Sequence, residues 1–344
     1  MRTDTRTDRP SDDMRDRLPG SRIKTWVLLV ANRWVVAATL LGGLFVLFVA
    51  LGSLDPTPLR QAIASKDPLE TVFQALVTAI VTGVTLVVTI NQLVLAQELG
   101  PAGDQRDRMD GATAFRQDVE TVIDADVSPA DPASFLEALV DAAKTQATAV
   151  SDSVSTSTHS DLRTVVDDYV ESLAENADGV TARLDTAQFG TFAVVHAALS
   201  FNYSLKIHEA RTIAHEHDAD IPDETREALD DLVDTLELFG VAREHIKTLY
   251  FQWELIDLSR AILYAAVPAL AVSISMILFV NTPETLAGTT LGVDNLVWAT
   301  SAAITVALVP FIVLLSYILR IVTVAKRTLA IGPFVLRDRG PDDS

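Results

Sequence analysis

Four runs of about twenty apolar residues dictate most of what this chain can become. They are WVVAATLLGGLFVLFVALGSL (34–54), TVFQALVTAIVTGVTLVVTINQ (71–92, extending to about Gln97), AILYAAVPALAVSISMILFV (261–280) and LVWATSAAITVALVPFIVLLSYIL (296–319). A helix rises about 1.5 Å per residue, so about 20 residues cross a hydrocarbon layer of about 30 Å. Lipid offers the backbone no hydrogen-bond partner, so each run must satisfy its own amides as a helix. The expected fold class is an all-α integral membrane protein with four transmembrane helices and a cytoplasmic helical bundle inserted between spans two and three. A fifth apolar run, FAVVHAALSFNYSL (192–205), is short and interrupted by His196, Ser200, Asn202 and Ser204, which favours a core helix of that bundle.

Composition shifts divide the chain into a disordered N-terminal tail (1–24), a hairpin of spans (25–99), an acidic helical domain (100–250), a second hairpin (251–320) and a cytoplasmic C-terminal tail (321–344). The tail MRTDTRTDRPSDDMRDRLPGS is polar and acid-rich and lacks the short apolar core and small-residue cleavage site of a signal peptide. Orientation follows from Lys and Arg near the span ends. Seven bases precede the first span, from Arg2 to Lys24, and Arg320, Lys326 and Arg327 follow the last. The connector 281–295 has none, and the connector 55–70 has only Arg60 and Lys66. This places both termini and the large central domain in the cytoplasm of a multi-pass protein of the cell membrane. Trp26, Trp253 and Trp298 fall where an aromatic belt would lie.

The formal net charge of -19 argues against a nucleic-acid partner, since a phosphate-reading surface needs Lys and Arg to displace counterions. Acid comes as 32 Asp against 14 Glu, and base as 21 Arg against 6 Lys. That pattern reads as halophilic, a surface kept soluble by short acidic side chains in a salt-loaded cytoplasm. With no Cys, the chain has neither disulfides nor thiolate chemistry.

Residues 98–250 carry 31 acids and 11 bases. Gly100-Pro101 should end the second span, and a helix resumes to about Ile123. Asp131-Pro132 marks a capped start for a helix to about Ser151, Ser160 caps another, and a fourth runs from about Gln188 to His217. Leu162, Val165, Val166, Tyr169, Val170 and Leu173 form an apolar stripe on the helix that Ser160 opens. Leu229, Leu232, Leu236, Phe239, Ile246, Tyr250 and Trp253 follow a seven-residue pattern, and nothing breaks the helix before span three. Residues 223–280 are thus expected as one rod of about 87 Å, with Gly240 permitting a bend.

The second span holds the most informative pattern. Thr71, Gln74, Thr78, Thr82, Thr85, Thr89 and Gln92 are spaced by three or four residues and fall within an arc of roughly 80° at 100° per residue. Leu76, Ile80, Val84, Val87 and Val94 lie opposite, and Asp67-Pro68-Leu69-Glu70 resembles a capping box. Hydroxyls and amides in lipid mark a face turned toward protein or water. One reading is packing, with Ala75, Ala79 and Gly83 allowing close helix approach. The other is a wet path, in which copies around an axis stack the hydroxyls of Thr78, Thr82, Thr85 and Thr89, between Gln74 and Gln92, into pore-lining rings.

Pro268 and Pro310 lie at matching depths in spans three and four and are expected as kinks or hinges. Glu254, Asp257 and Arg260 form a charged collar at the cytoplasmic mouth of span three. No acid or base interrupts the middle of a span, which disfavours an ion-coupled carrier. His208 and His215 flank Arg211 on one helix face, a poor metal site, and no phosphate loop, catalytic serine elbow or zinc-protease motif is present. Neither metal nor cofactor is expected, and the chain is not expected to be an enzyme. The layout of four spans with a helical mass between the second and third resembles, in topology, that of the bestrophin anion channels, without sharing a residue motif with them. Together these features predict a homo-oligomeric ion channel in the lipid bilayer, passing inorganic ions along the span-two stripe. The alternative is a non-conducting anchor or scaffold whose helical domain binds other proteins.

Overall fold

A computed structural model describes residues 32–54, 59–66, 68–155, 159–187, 192–282 and 284–328. The N-terminal tail (1–24), Trp26, Asp67 of the expected capping box, Gln188 at the expected start of the fourth helix and residues 329–344 of the C-terminal tail lie outside them. Ten helices are described: α1 (Arg33–Leu54), α2 (Leu59–Lys66), α3 (Pro68–Glu98), α4 (Ala102–Val122), α5 (Pro132–Val154), α6 (Ser160–Leu184), α7 (Phe192–Ser200), α8 (Tyr203–Glu216), α9 (Asp223–Phe279) and α10 (Asn295–Thr328). A two-stranded antiparallel ribbon, β1 (Thr289–Thr290) with β2 (Val293–Asp294), precedes α10. The protein is all-α in class, and α1, α3, α9 and α10 are each long and apolar enough to cross a membrane. Four such helices are the mark of a multi-pass membrane protein.

The described residues fall into two compact units, one holding residues 100–251 and the other residues 32–99 and 252–324. In the first, most of the stripes expected from periodicity make the core, although Val165 of α6 is exposed and Val170 half-buried. Leu139, Ala143 and Val150 of α5 are buried, as are Leu162, Val166, Tyr169 and Leu173 of α6 and Leu229, Leu232, Leu236 and Phe239 of α9. Asp131 caps α5, its carboxylate accepting from the amides of Ala133 and Ser134 at 3.0 and 3.1 Å. Ser160 is itself the first residue of α6, and His159 holds the cap position without a side-chain bond.

Three features depart from the pattern read off the sequence, two in this unit and one, at Trp253, in the second. The apolar run 192–205 is buried in the unit but is split into α7 and α8. Asn176 of α6 explains the break: its amide donates to the Ser200 carbonyl and accepts from the Asn202 amide, both at 3.0 Å. Those are backbone groups that a continuous helix would have paired internally. Gly240 stands inside unbroken α9, and its role is close approach. A Cβ there would sit 2.7 Å from Cε2 of Tyr203. Trp253, the last member of the seven-residue pattern, is exposed.

Scarce bases are used inside this unit. Lys206, 1% exposed, donates to Ser172 Oγ at 2.6 Å and to Glu209 at 3.1 Å. Arg243 stacks on the Tyr203 ring at 4.6 Å and bonds Glu244, which also takes Lys247. A buried cation needs such partners because desolvation otherwise costs several kcal/mol. Burial, reinforced by the Glu209 charge, pushes the Tyr169 phenol upward, so it stays a donor to the Lys206 carbonyl at 3.1 Å.

In the second unit the spans meet along three apolar layers. Phe73 of α3 lies with Met276 and Leu296, Ile80 with Ala266, Ala269 and Ala307, and Val87 with Ala261, Ile262 and Val313. The first span packs more sparingly. Ala37 is its one buried residue, Phe45 meets the Trp298 ring at 5.8 Å, and a Cβ on Gly52 would sit 2.7 Å from Val297 Cγ1.

A polar clasp organises the connectors. Arg60 holds Asp294 through two bonds of 2.6 Å and also donates to the carbonyls of Thr285 and Leu286. Asp294 in turn accepts from the Leu296 amide at 2.8 Å, which caps α10. The Arg60 guanidinium keeps the Asp294 carboxyl below the usual carboxylate range. A depressed folded-state value means that the stabilisation is present above the ordinary Asp range and is lost as pH falls through it. Asp294→Asn should therefore lower the thermal midpoint at neutral pH, by about 1–2 kcal/mol of stability. The gap to the parent should narrow on acidification toward about pH 3. Melts at several pH values check both statements.

Candidate functional site

The polar residues of α3 are where the sequence places them, and the structure shows what they face. Leu69, Phe73, Ile80 and Val87 are buried at spacings of four, seven and seven, so one side of α3 is committed to the other spans. On the opposite side Thr71, Gln74, Thr78, Thr82, Thr85, Thr89 and Gln92 are all exposed. In one chain none of the seven is buried. The apolar stretches of α1 and α3 are 11% and 17% buried, against 33% for α9 and for α10, so the first two spans are the less covered ones in a single chain.

Hydrogen bonding gives this face a polarity. Thr78 donates to the Gln74 carbonyl at 3.0 Å, Thr82 to Thr78 at 2.8 Å, Thr85 to Val81 at 2.9 Å and Thr89 to Thr85 at 2.9 Å. A carbonyl cannot donate, so each hydroxyl proton is used inward and the oxygen lone pairs remain outward. Gln74 differs, its Nε2 giving one of its two protons to Glu70 Oε1 at 2.9 Å while its carbonyl oxygen stays an acceptor. The stripe is thus a column of acceptor oxygens. Ala75 and Ala79 beside it are exposed too.

The charged collar does not form one face. Glu254 is buried and accepts from Arg33 at 2.5 Å, while the Arg33 guanidinium lies 4.9 Å over the Tyr317 ring. Asp257 and Arg260 point outward. The spacing of Glu254 and Asp257 left this open, but Arg33 at the start of α1 captures only Glu254. Pro268 is exposed and Pro310 buried, and both α9 and α10 stay helical through them. His208 and His215 are exposed, and Arg211 between them pairs with Glu237 at 2.8 Å.

Two groups near the spans were not legible as sites. Arg60 counted in the sequence only toward orientation, and both it and Arg33 prove to be halves of long-range ion pairs. Ser273 and Thr300, buried in α9 and α10, have hydroxyls without a hydrogen-bond partner among the described residues. More than one acid lies at the matching end in each case, Glu254 and Asp257 for Arg33 and Glu284 and Asp294 for Arg60, so local charge did not single out the partner. Nothing in the local sequence marks the hydroxyls.

No curated protein and no solved structure matches the chain. A family model does match, over residues 1–344, and the chain belongs to that family, a family of unknown function (DUF7972).

Proposed function

We propose that the protein is an oligomeric membrane channel for inorganic cations, its pathway lined by Gln74, Thr78, Thr82, Thr85, Thr89 and Gln92 of several copies. The observation that carries this reading is the uncovered stripe. A span that presents seven polar residues on the side away from its own bundle has three possible neighbours: lipid, another protein surface, or water. Lipid is the poorest, because an amide such as that of Gln92 has two donors and an acceptor that its own helix cannot fully satisfy. A dry seam needs only a few polar positions, whereas this column runs from Thr71 to Gln92 without a gap. Copies related by an axis turn each level into a ring of oxygens that partly replaces ion hydration.

The sign of the ion follows from the donors. With the hydroxyl protons bonded inward, the column offers lone pairs and few protons, which suits a cation better than an anion. Glu70 at one end adds negative charge. The basic residues that flank the first and last spans support a cytoplasmic location for both termini and for the helical domain. In this reading the acidic helical domain is the cytoplasmic vestibule, and neither cofactor nor metal has a role.

The test is a recording from the purified protein in planar bilayers under a tenfold KCl gradient. The reading expects a current whose reversal potential follows potassium. A chloride-following potential would contradict the cation assignment, and a silent bilayer would leave a membrane-anchored scaffold acting through its helical domain.

A further inference from the structure

The connector between α9 and α10 holds two leucines in the left-handed backbone region, Leu286 at φ 57° and Leu291 at φ 55°. Gly, Asn and Asp adopt that region readily, and a branched apolar side chain does not. Leu291 fills the first central position of the two-residue turn between β1 and β2, where Asn or Asp before Gly292 would be the ordinary choice. It is also 89% exposed. Leucine held against both its backbone preference and water calls for an apolar neighbour that the single chain does not supply.

The polar groups around it indicate which neighbour. Residues 285–293 carry no charge. The carbonyls of Thr285 and Leu286 accept from Arg60 at 3.0 and 2.9 Å, that of Ala287 from Asn295 Nδ2 at 3.4 Å and that of Gly288 from the Asn295 amide at 3.0 Å. The Thr290 carbonyl accepts from Trp298 Nε1 at 3.0 Å, and the Thr290 hydroxyl donates to Asn295 Oδ1 at 2.7 Å. A loop in water can leave its carbonyls to the solvent. Closing them with protein donors is what a segment needs where water is scarce. Trp298 gives the place. Its ring lies 5.8 Å from that of Phe45, two helical turns inside Gly52 on α1, while its indole N–H holds Thr290. The ribbon is thus drawn back along the ends of the spans, at the level where tryptophan rings border a membrane. Leu51 and Leu54, at the end of α1 where Gly52 meets Val297, are exposed as well, so Leu291 adds to an apolar rim.

We propose that the β1–β2 ribbon is an interfacial anchor, held by Trp298, that seats Leu291 at the boundary between headgroups and acyl chains. The leaflet is the one at that end of the spans, the outer one in the orientation proposed above. No charge is desolvated at the tip, and contact of the leucine with lipid offsets its strained turn. The inference uses the four membrane-crossing helices and does not depend on conduction.

Fluorescence quenching tests it. The chain has no cysteine, so Leu291→Cys and Thr145→Cys can each carry one environment-sensitive label, Thr145 being exposed on α5. Each full chain is reconstituted in phosphatidylcholine vesicles, with nitroxide on the upper acyl chain as the lipid quencher and iodide on both sides as the aqueous one. The label at position 291 should be quenched by the nitroxide lipid about threefold more than the label at 145, and by iodide about threefold less. Trp298→Phe keeps a ring and removes the donor. In that background iodide quenching at 291 should rise by about twofold, with helix content and particle mass unchanged. A label at 291 that iodide reaches as freely as at 145 would put the ribbon in water, and one that neither quencher reaches would put it against a second copy. Either result, or no change on Trp298→Phe, would overturn the anchor. A silent bilayer in the current recording would leave it standing.

Discussion

Thr82→Leu combined with Thr85→Leu is expected to cut the single-channel current by about tenfold or more without changing the mass of the oligomer. Both hydroxyls lie mid-span, are exposed in the single chain, and keep their oxygens outward because their protons are bonded to Thr78 and Val81. Leucine removes two levels of acceptors and narrows the path with branched apolar groups, a constriction of the kind that closes pores by dewetting. The opposite expectation holds if the stripe faces acyl chains. Leucine is favoured in lipid by a few tenths of a kcal/mol per residue, so the variant would be neutral or slightly more stable and its current unaltered. Recordings from reconstituted parent and variant, with mass measured on the same preparations, separate the two.

Phe239→Ala is expected to lower the thermal midpoint by roughly 10 °C. Phe239 is fully buried on α9, between Leu232 and Leu236 on one side and Ala242 on the other. Its ring meets Phe201 edge-on at 4.8 Å and Tyr203 at 6.0 Å. Truncating a buried Phe to Ala costs about 3–5 kcal/mol through lost transfer energy and the cavity left behind. For a domain of about 150 residues each kcal/mol moves the midpoint by about 2–4 °C. A shift below about 2 °C in a detergent melt would mean that the seven-residue stripe does not form the core described.

Much of this was legible because two periodicities are strong. Runs of twenty apolar residues leave a chain in lipid little choice but helix, and the stripe of α3 is a matter of spacing alone. The core of the helical domain follows from the same rule: Leu162, Val166, Tyr169 and Leu173 recur at three and four. What periodicity cannot show is which distant residue satisfies a polar group. Asn176, 24 residues before Ser200, breaks an apolar run that reads as one helix. Gly240 offered a bend and supplies contact with Tyr203. Arg33 and Arg60 are paired with acids more than 200 positions away, so neither spacing nor local charge announced them. The ribbon of Thr289–Asp294 was unreadable for another reason. Its turn puts Leu291 at φ 55° beside Gly292 at φ 79°, and leucine there contradicts the usual turn chemistry.

The chain has no cysteine, which makes the deciding measurement clean. Thr82→Cys on the stripe and Ile90→Cys, exposed but away from the stripe, are each treated with a charged, membrane-impermeant thiol reagent in reconstituted vesicles. A water-lined column predicts that the cysteine at position 82 is modified and the current blocked, while the one at position 90, turned toward lipid, stays unreacted. No modification at position 82 under conditions that label an extramembrane control would contradict the account, because it would place the threonine oxygens in a dry contact or against lipid.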